Sequence, residues 1–600
     1  MDVDFKVKNE GVFMRKLFLF VIALLLVGSI CVLGDDADEA TRWVASEMTF
    51  TSDRDYDNPF YDVDFDVIFT HEETGYVLKV PGFWDGGRTF KVRYALTKTG
   101  EWSYVTICSD KSNTGLHDKT GEIKCVEYEG ELEIYKRGFV KTDPNLRYFV
   151  YDDGTPFFYL GDTHWFLGEE DMSSPESMFY AIVDHRVKQR FTVYQSEPLG
   201  APYNLADGFS SADLVGFWNL DAKFKYIADS GLVHANSQLF HVTELMKYYN
   251  PIYDDEYLDR LCRYWVARYS AYPVLWTTAQ ESDNDFYYER GDSIFDAENN
   301  RWVKVAEFTH KHDPYKHPLT AHMEHTSFCI ASGSSFRDLE GHTWYGAQFS
   351  FNYDTPMPWD IVKDYWENGQ GKVIVNYEGK YDHLWTMTFG ARAQGWIAFL
   401  NGMYGYGYGA QGIWDDWFNN EDSYDGRDII KPEDKMVTWQ EALKFPSGDQ
   451  MTIMRSFFEE YEWYNLIPRF DNPEYISGES SYKNKYKDLV KFKNTQYSLA
   501  SIDNDLYILY LFNDSMFSAT LKGLDNTIYS VKWFNPRTGE YSKEKNVFIF
   551  NRKYNIGAKP DYEDWVLVVE KKTYISFYML IALMLVAVTQ ITRQVRRKRK

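Results

Sequence analysis

The sequence predicts a multidomain α/β and all-β chain, a central (β/α)8 TIM barrel flanked by two small β-sandwiches. An N-terminal signal or anchor and a C-terminal transmembrane helix complete the expected architecture. Three observations carry this expectation. Between residues 137 and 480, short apolar runs alternate with amphipathic helical stretches, the pattern of parallel βα units. On either side, strand-like segments with turn glycines prevail. Two nearly continuous apolar runs lie at the termini, each beside basic residues.

Taken in chain order, residues 1–34 read as a signal peptide or signal anchor. Leu17 to Leu33 is almost wholly apolar, follows Arg15-Lys16 and is succeeded by Gly34-Asp35-Asp36. Residues 40–135 are expected to form the N-terminal β-sandwich, with strands at Tyr61–Val67, Phe90–Tyr94 and Trp102–Val105. Residues 137–480 make the barrel. Its eight strands are expected at 157–160, 191–195, 232–235, 274–278, 319–322, 339–344, 373–377 and 404–408. Helices are expected at Ser174–Gln189, opened by Ser174 and Pro175, at Tyr257–Ser270 and at Thr386–Leu400. Residues 481–570 are a second β-sandwich. A stretch over 573–592 is long and apolar enough to cross a bilayer core of roughly 30 Å. The tail 593–600 is densely basic and belongs in the cytoplasm, which places everything between the two apolar segments outside the cell.

Composition narrows the function. The formal charge is −25, from 64 basic and 89 acidic residues, so a nucleic-acid partner is not expected. Aromatic residues make up 18% of the chain, which suits a sugar-binding cleft and equally a large core. The five cysteines contain no CxxC pair, which removes a zinc ribbon or thioredoxin-type site. Cys108 and Cys125 fall in one β-domain and are candidates for a disulfide in an oxidising compartment.

Active sites of such barrels lie at the C-terminal ends of the strands, so the polar residues there are the candidates. Asp162, His164 and Trp165 follow the first strand, and His234 belongs to the third. Gln280 and Glu281 follow the fourth, His322 ends the fifth, and His342 and Tyr345 stand around the sixth. Glu378 follows the seventh, with Tyr381 beyond it, and Trp414 follows the eighth. Glycoside hydrolysis needs two carboxylates, one to protonate the leaving oxygen and one to attack or to activate water. Glu281 as acid/base and Glu378 as nucleophile fit those roles, with the rest binding substrate. A close pair, about 5–5.5 Å apart, would retain anomeric configuration.

Blander readings stand beside these. Most of the 89 acidic residues are solvated surface charge, and a lone Glu after an apolar run is often a helix cap. His322-x-x-His325 with Glu324 lacks the HExxH spacing of a zinc protease, so neither metal nor cofactor is expected. Gly407 to Gly412 matches GxGxxG literally, but no helix follows and Asp415-Asp416 is acidic, so an aromatic loop is expected there. A non-catalytic cell-surface carbohydrate-binding or adhesion protein is the alternative function.

The run from Arg147-Tyr148-Phe149-Val150 through Asp153-Gly154-Thr155-Pro156 to Gly161-Asp162-Thr163-His164-Trp165 resembles the opening of the apiosidase-like glycoside hydrolase barrels. Trp276 with Glu281, the Val373-to-Glu378 segment with Tyr381, and Tyr406 to Trp414 are similar to three later blocks of that family. The resemblance implies a β-sandwich of unknown function before the barrel and a sandwich labelled collagen-binding after it. Where family members often carry Asp after a glycine pair, this chain has Ala279-Gln280-Glu281, so the apiose specificity in the family name does not transfer. The expectation is a membrane-anchored, extracellular glycoside hydrolase acting on a polysaccharide or glycan.

Overall fold

The computed structural model describes residues 38–197, 214–237, 255–278, 301–323, 334, 336–349, 359–383, 388–413, 437–483, 489–493, 497–512 and 516–572. Both terminal apolar segments lie outside these residues. Among the described residues no helix is long and apolar enough to cross a membrane.

The centre is a ring of parallel strands: β1 (Tyr159–His164), β2 (Val193–Ser196), β3 (Val233–Ser237), β4 (Val274–Thr277), β5 (Leu319–Thr320 with His322–Met323), β6 (Trp344–Ala347), β7 (Val373–Asn376) and β8 (Gly405–Tyr408). β8 pairs with β1, and the two halves of β5, separated only by Ala321, pair with β4 and β6, which closes the ring. The intervening helices are α1 (Met178–Lys188), α2 (Leu214–Asp229), α3 (Asp255–Tyr269), α4 (Arg301–His312), α5 (Trp359–Asn368) and α6 (Thr388–Leu400), and α7 (Pro446–Glu460) packs on α6.

Period-two alternation sorts each strand's side chains. Tyr159, Val193, Val233, Ala235, Leu275, Trp344, Val373, Val375 and Tyr377 share one buried cluster with Phe149 and Phe157, the filling of the barrel. Their alternates pack outward against the helices.

Several sequence expectations shift. The sixth strand begins at Trp344 rather than at 339, because Gly341 takes a left-handed φ of 86° and the chain turns there before extending. The first barrel helix starts at Met178 after Ser177, so Ser174 and Pro175 precede it. In the N-terminal domain, Tyr61–Val67 is not one strand. Asn58 caps a helical turn, Pro59–Asp62, accepting a hydrogen bond from the Phe60 amide, and the strand runs over Phe65–His71.

That domain packs a five-stranded sheet, ordered Asp38–Thr41, Thr120–Val126, Gly100–Cys108, Phe65–His71, Val77–Pro81, with a three-stranded one. Cys125 lies opposite Gly100, whereas Cys108 is eight residues further along the same strand. At about 3.4 Å per residue that spacing is far beyond disulfide reach, and both are free buried thiols.

After the barrel, a six-stranded sheet (Ile467–Pro468, Tyr497–Ile502, Leu506–Leu511, Trp565–Lys571, Ile528–Phe534, Lys545–Phe548) faces a four-stranded one. Buried arginine–aspartate clusters fasten both flanking domains to the barrel helices. On the N-terminal side, Arg268 of α3 pairs with Asp221 of α2 and with Asp85, while Arg93 reaches Asp221 and Glu47. On the C-terminal side, Arg392 of α6 donates to both oxygens of Asp564 at 2.9 and 2.8 Å, and Tyr510 also donates to Asp564.

Removing one partner of a buried pair strands the other charge away from water. Asp564→Ala is therefore expected to destabilise by about 3–5 kcal/mol, read as a lower urea midpoint. An unchanged midpoint would show that the clamp contributes nothing.

Candidate active site

Glu378 stands two residues beyond β7, and only 4% of its surface is exposed. Three side chains converge on its carboxylate. Tyr381 donates its hydroxyl hydrogen to Oε1. Gln348, directly after β6, donates to Oε2 at 2.8 Å. His322 Nε2 of β5 lies 3.1 Å from the same oxygen. Trp165 closes the arrangement: its indole N–H donates to Tyr381 Oη at 2.7 Å, and its ring stacks on His322 at 5.6 Å. A donor chain thus runs from Trp165 through Tyr381 to Glu378. Burial, and then the Glu378 charge, raise the Tyr381 phenol well above its ordinary pKa, so it stays protonated and donates.

Glycines make the room for this arrangement. A Cβ at Gly409 would lie 2.0 Å from Tyr381 Cδ1, so the missing side chain is the space the Tyr381 ring fills. Gly161 of β1 and Gly407 of β8 leave space for Gln195 of β2, which reaches past them and donates to the Tyr377 carbonyl at 2.7 Å. The GxGxxG-like run therefore serves close packing inside the barrel. Trp414, which follows that run, lies outside the described residues.

The structure brings Trp165, His322, Glu378 and Tyr381 together and sets five other candidates apart from them. Asp162 and His164 are the outward alternates of β1. Asp162 accepts from Arg186 of α1 at 2.6 Å, and His164 lies between Asp162 and Glu170 and stacks on Tyr194 at 4.0 Å. His234 points toward α2, with its Nε2 bonded to Ser196 at 2.6 Å and its ring against Phe224. Burial pushes it well below the usual histidine range. His342 precedes β6 and contacts Tyr345, which in turn packs on Tyr365 of α5. Burial, then Lys372, lower His342 likewise. These five sit in the layer between strands and helices. Gln280 and Glu281 lie outside the described residues, as do Glu324 and His325.

Three further residues belong here that the strand-end pattern does not single out: Gln348, Tyr377 and Glu197. Gln348 follows β6, which begins at Trp344 rather than 339, so a strand end at 344 does not point to it. Tyr377, inward at the end of β7, contacts His322 and Trp165. Glu197, directly after β2 and two residues past the inward Gln195, is a buried carboxylate. Burial raises the Tyr377 phenol, and both Glu197 and Glu378 add to that rise while a Thr277 hydrogen bond opposes it. An acid immediately following a strand was the readable signal for Glu197. Among the described residues no group of three or more His, Cys, Asp or Glu is placed to hold a metal ion.

The family model described as "Apiosidase-like, catalytic domain" matches residues 143–465. A domain of unknown function, DUF5060, matches residues 39–109, and a "Putative collagen-binding domain of a collagenase" matches residues 489–570. The comparison with curated proteins gives no match. Among solved structures, a "putative glycoside hydrolase" from Bacteroides vulgatus ATCC 8482 superposes with a TM-score of 0.61 at 16% identity, covering 89% of this chain and 100% of that one. A glycoside hydrolase family 5 structure from the same organism gives 0.54 at 16%, covering 74% and 95%. At such identities the likeness is one of fold.

The His164 cluster has a pH consequence. Burial alone would lower its pKa, but Glu170 and Asp162 outweigh that and raise it to about 9 from 6.5. A raised folded-state value means the stabilisation is fully present below pH 6.5 and is lost as pH rises through 9. Thermal midpoints of the parent are expected to fall between pH 6.5 and 9 by more than those of His164→Gln. Parallel profiles would remove the charged histidine from the account.

Proposed function

The chain belongs to the apiosidase-like family and is a glycoside hydrolase, and from that premise we propose that Glu378 is its catalytic nucleophile. The observation that carries this is the convergence of Tyr381, Gln348 and His322 on one buried carboxylate at the C-terminal end of the barrel. Such fixing lets the carboxylate meet an anomeric carbon without reorganising, the condition for electrostatic and positional catalysis.

Glu281, five residues beyond Trp276 of β4, is the proposed acid/base. It would protonate the leaving glycosidic oxygen while Glu378 attacks. It would then deprotonate the water that releases the glycosyl-enzyme, giving retention. Trp165 and His322 stack on each other beside the carboxylate and hold Tyr381 and Glu378 in place. Substrate contact is assigned to Trp165, His322 and Tyr381 beside Glu378, and to Gln280 and Trp414 on their sequence positions after β4 and β8. The outward-facing Asp162, His164, His234, His342 and Tyr345 hold helices against strands. The substrate class is a polysaccharide or a glycan, supported by the match to a glycoside-hydrolase family.

A single-pass membrane anchor is part of the same proposal. The apolar run 574–591 and the basic tail 593–600 support an outward-facing barrel with a cytoplasmic C-terminus.

Glu378→Gln is expected to lower hydrolysis of an aryl-glycoside panel by about 10³-fold or more while the unfolding midpoint is kept. Full activity in that variant on a real substrate would end the assignment. Tyr381→Phe removes one hydrogen bond to a charged group and is expected to reduce kcat/KM about 10–100-fold. NMR of the first-formed anomer tests retention, and an inverted product would reassign Glu378 as a general base.

A further inference from the structure

The C-terminal sheet carries an aromatic tip whose position relative to the chain's exit gives it a use. Phe548 and Phe550 are 54% and 73% exposed, with ring centroids 5.2 Å apart. Ile549, between them, turns the other way into the core. Phe550 opens a tight turn in which Asn551 and Arg552 both take left-handed φ, 54° and 57°, and Lys553 N–H donates back to the Phe550 carbonyl. Non-glycine residues seldom hold that conformation. Here Arg552 is tied down, because its guanidinium donates to the Leu524 and Gly523 carbonyls and its amide to Asn526. The tip is thus a fixed feature, two phenyl rings followed by the exposed cations Arg552 and Lys553.

Strand register places this tip beside the point where the chain leaves the domain. Phe548 lies opposite Ile528 on one side of the strand Ile528–Phe534. On its other side runs Trp565–Lys571, with Lys571 opposite Tyr529 and the Lys572 amide donating to the Ile528 carbonyl. Two inter-strand spacings, about 10 Å in all, therefore separate Phe548 from Lys572. Two residues later the sequence enters the apolar run 574–591. Exposed aromatic rings flanked by cations, at the foot of such a run, match the chemistry of a membrane interface, where aromatics sit at headgroup level beside basic residues.

We propose that the Phe548–Phe550 tip is a membrane-docking surface, inserted into the headgroup–acyl boundary of the bilayer that holds the anchor. The proposal rests on the anchored reading given above. Docking at a second point beside the anchor would fix the tilt of the C-terminal domain, and the buried Arg392–Asp564 clamp would pass that orientation to the barrel. Tyr562 offers an internal control. It is 74% exposed but precedes Trp565, at the opposite end of the same strand, roughly 20 Å away at about 3.4 Å per residue.

The test uses the full chain reconstituted into phosphatidylcholine–phosphatidylglycerol vesicles, with Phe550→Trp, Phe548→Trp and Tyr562→Trp compared against the parent. Flotation reports the anchor, and quenching of the added tryptophan reports the tip. The expected result is that bromine on the acyl chains removes at least about half of the emission added at 550 or 548 and little of that added at 562, with aqueous iodide doing the reverse. A floating chain whose tryptophan at both 548 and 550 is quenched by iodide and untouched by brominated lipid overturns the docking surface alone. A chain that does not float overturns anchor and docking surface together.

Discussion

Closing parallel strands into a ring forces every second side chain onto the barrel axis and its neighbours onto the surrounding helices. In this chain that division decides which polar residues can meet a substrate. β1 shows it most plainly. Tyr159 belongs to the interior cluster, whereas Asp162 and His164 turn outward to Arg186 and Glu170. Tyr194 and Ser196 of β2, and His234 of β3, continue the outward set. The result is a buried polar layer behind the strands, hydrogen-bonded across elements, that fixes where α1 and α2 sit. A group buried in that layer must find its partner within the protein, as Asp162 does in Arg186, His164 in Glu170 and His234 in Ser196.

Inside the ring the opposite economy holds. The strands beside β7 and β2 carry glycine where a side chain would collide, and the vacated volume is taken by Gln195 and Tyr381. Gln195 ties β2 to the Tyr377 carbonyl, so the segment carrying Glu378 is braced from across the barrel. A second brace comes from α6. Gln394 accepts from the Lys380 amide at 2.7 Å and donates to the Lys380 carbonyl at 3.0 Å, holding the turn between Glu378 and Tyr381. Two residues earlier on the same helix, Arg392 holds Asp564 of the C-terminal domain. One helix thus joins the flanking domain to the loop that aims the carboxylate.

Much of this was legible in the chain. β4, β7 and β8 lie within one or two residues of the apolar runs that predict them, because a strand buried on both faces reads as a continuous apolar segment. The carboxylate at Glu378 follows from the same counting. Placement faltered where local signals were weak or ambiguous. β6, Trp344–Ala347, follows a left-handed glycine and contains another glycine, so its apolar signal is diluted and Gln348 went unnoticed. Tyr61–Val67 alternates well enough for a strand, yet Asn58-Pro59 starts a helical turn within it. The histidines were grouped by position near strand ends, and a strand end has two faces.

By itself the sequence determined the parallel barrel, the β-rich flanks, the apolar terminal segments and the acid after the seventh strand. Each of these is written in local periodicity, in composition or in the residue following an apolar run. Only the tertiary structure decided which of the candidate side chains share the mouth, that three glycines exist to seat Gln195 and Tyr381, and that Phe548 stands next to the chain's exit. These depend on register and on contacts between residues far apart in the chain. A one-residue shift of register reverses the face a side chain occupies, and no local pattern of residues fixes that choice.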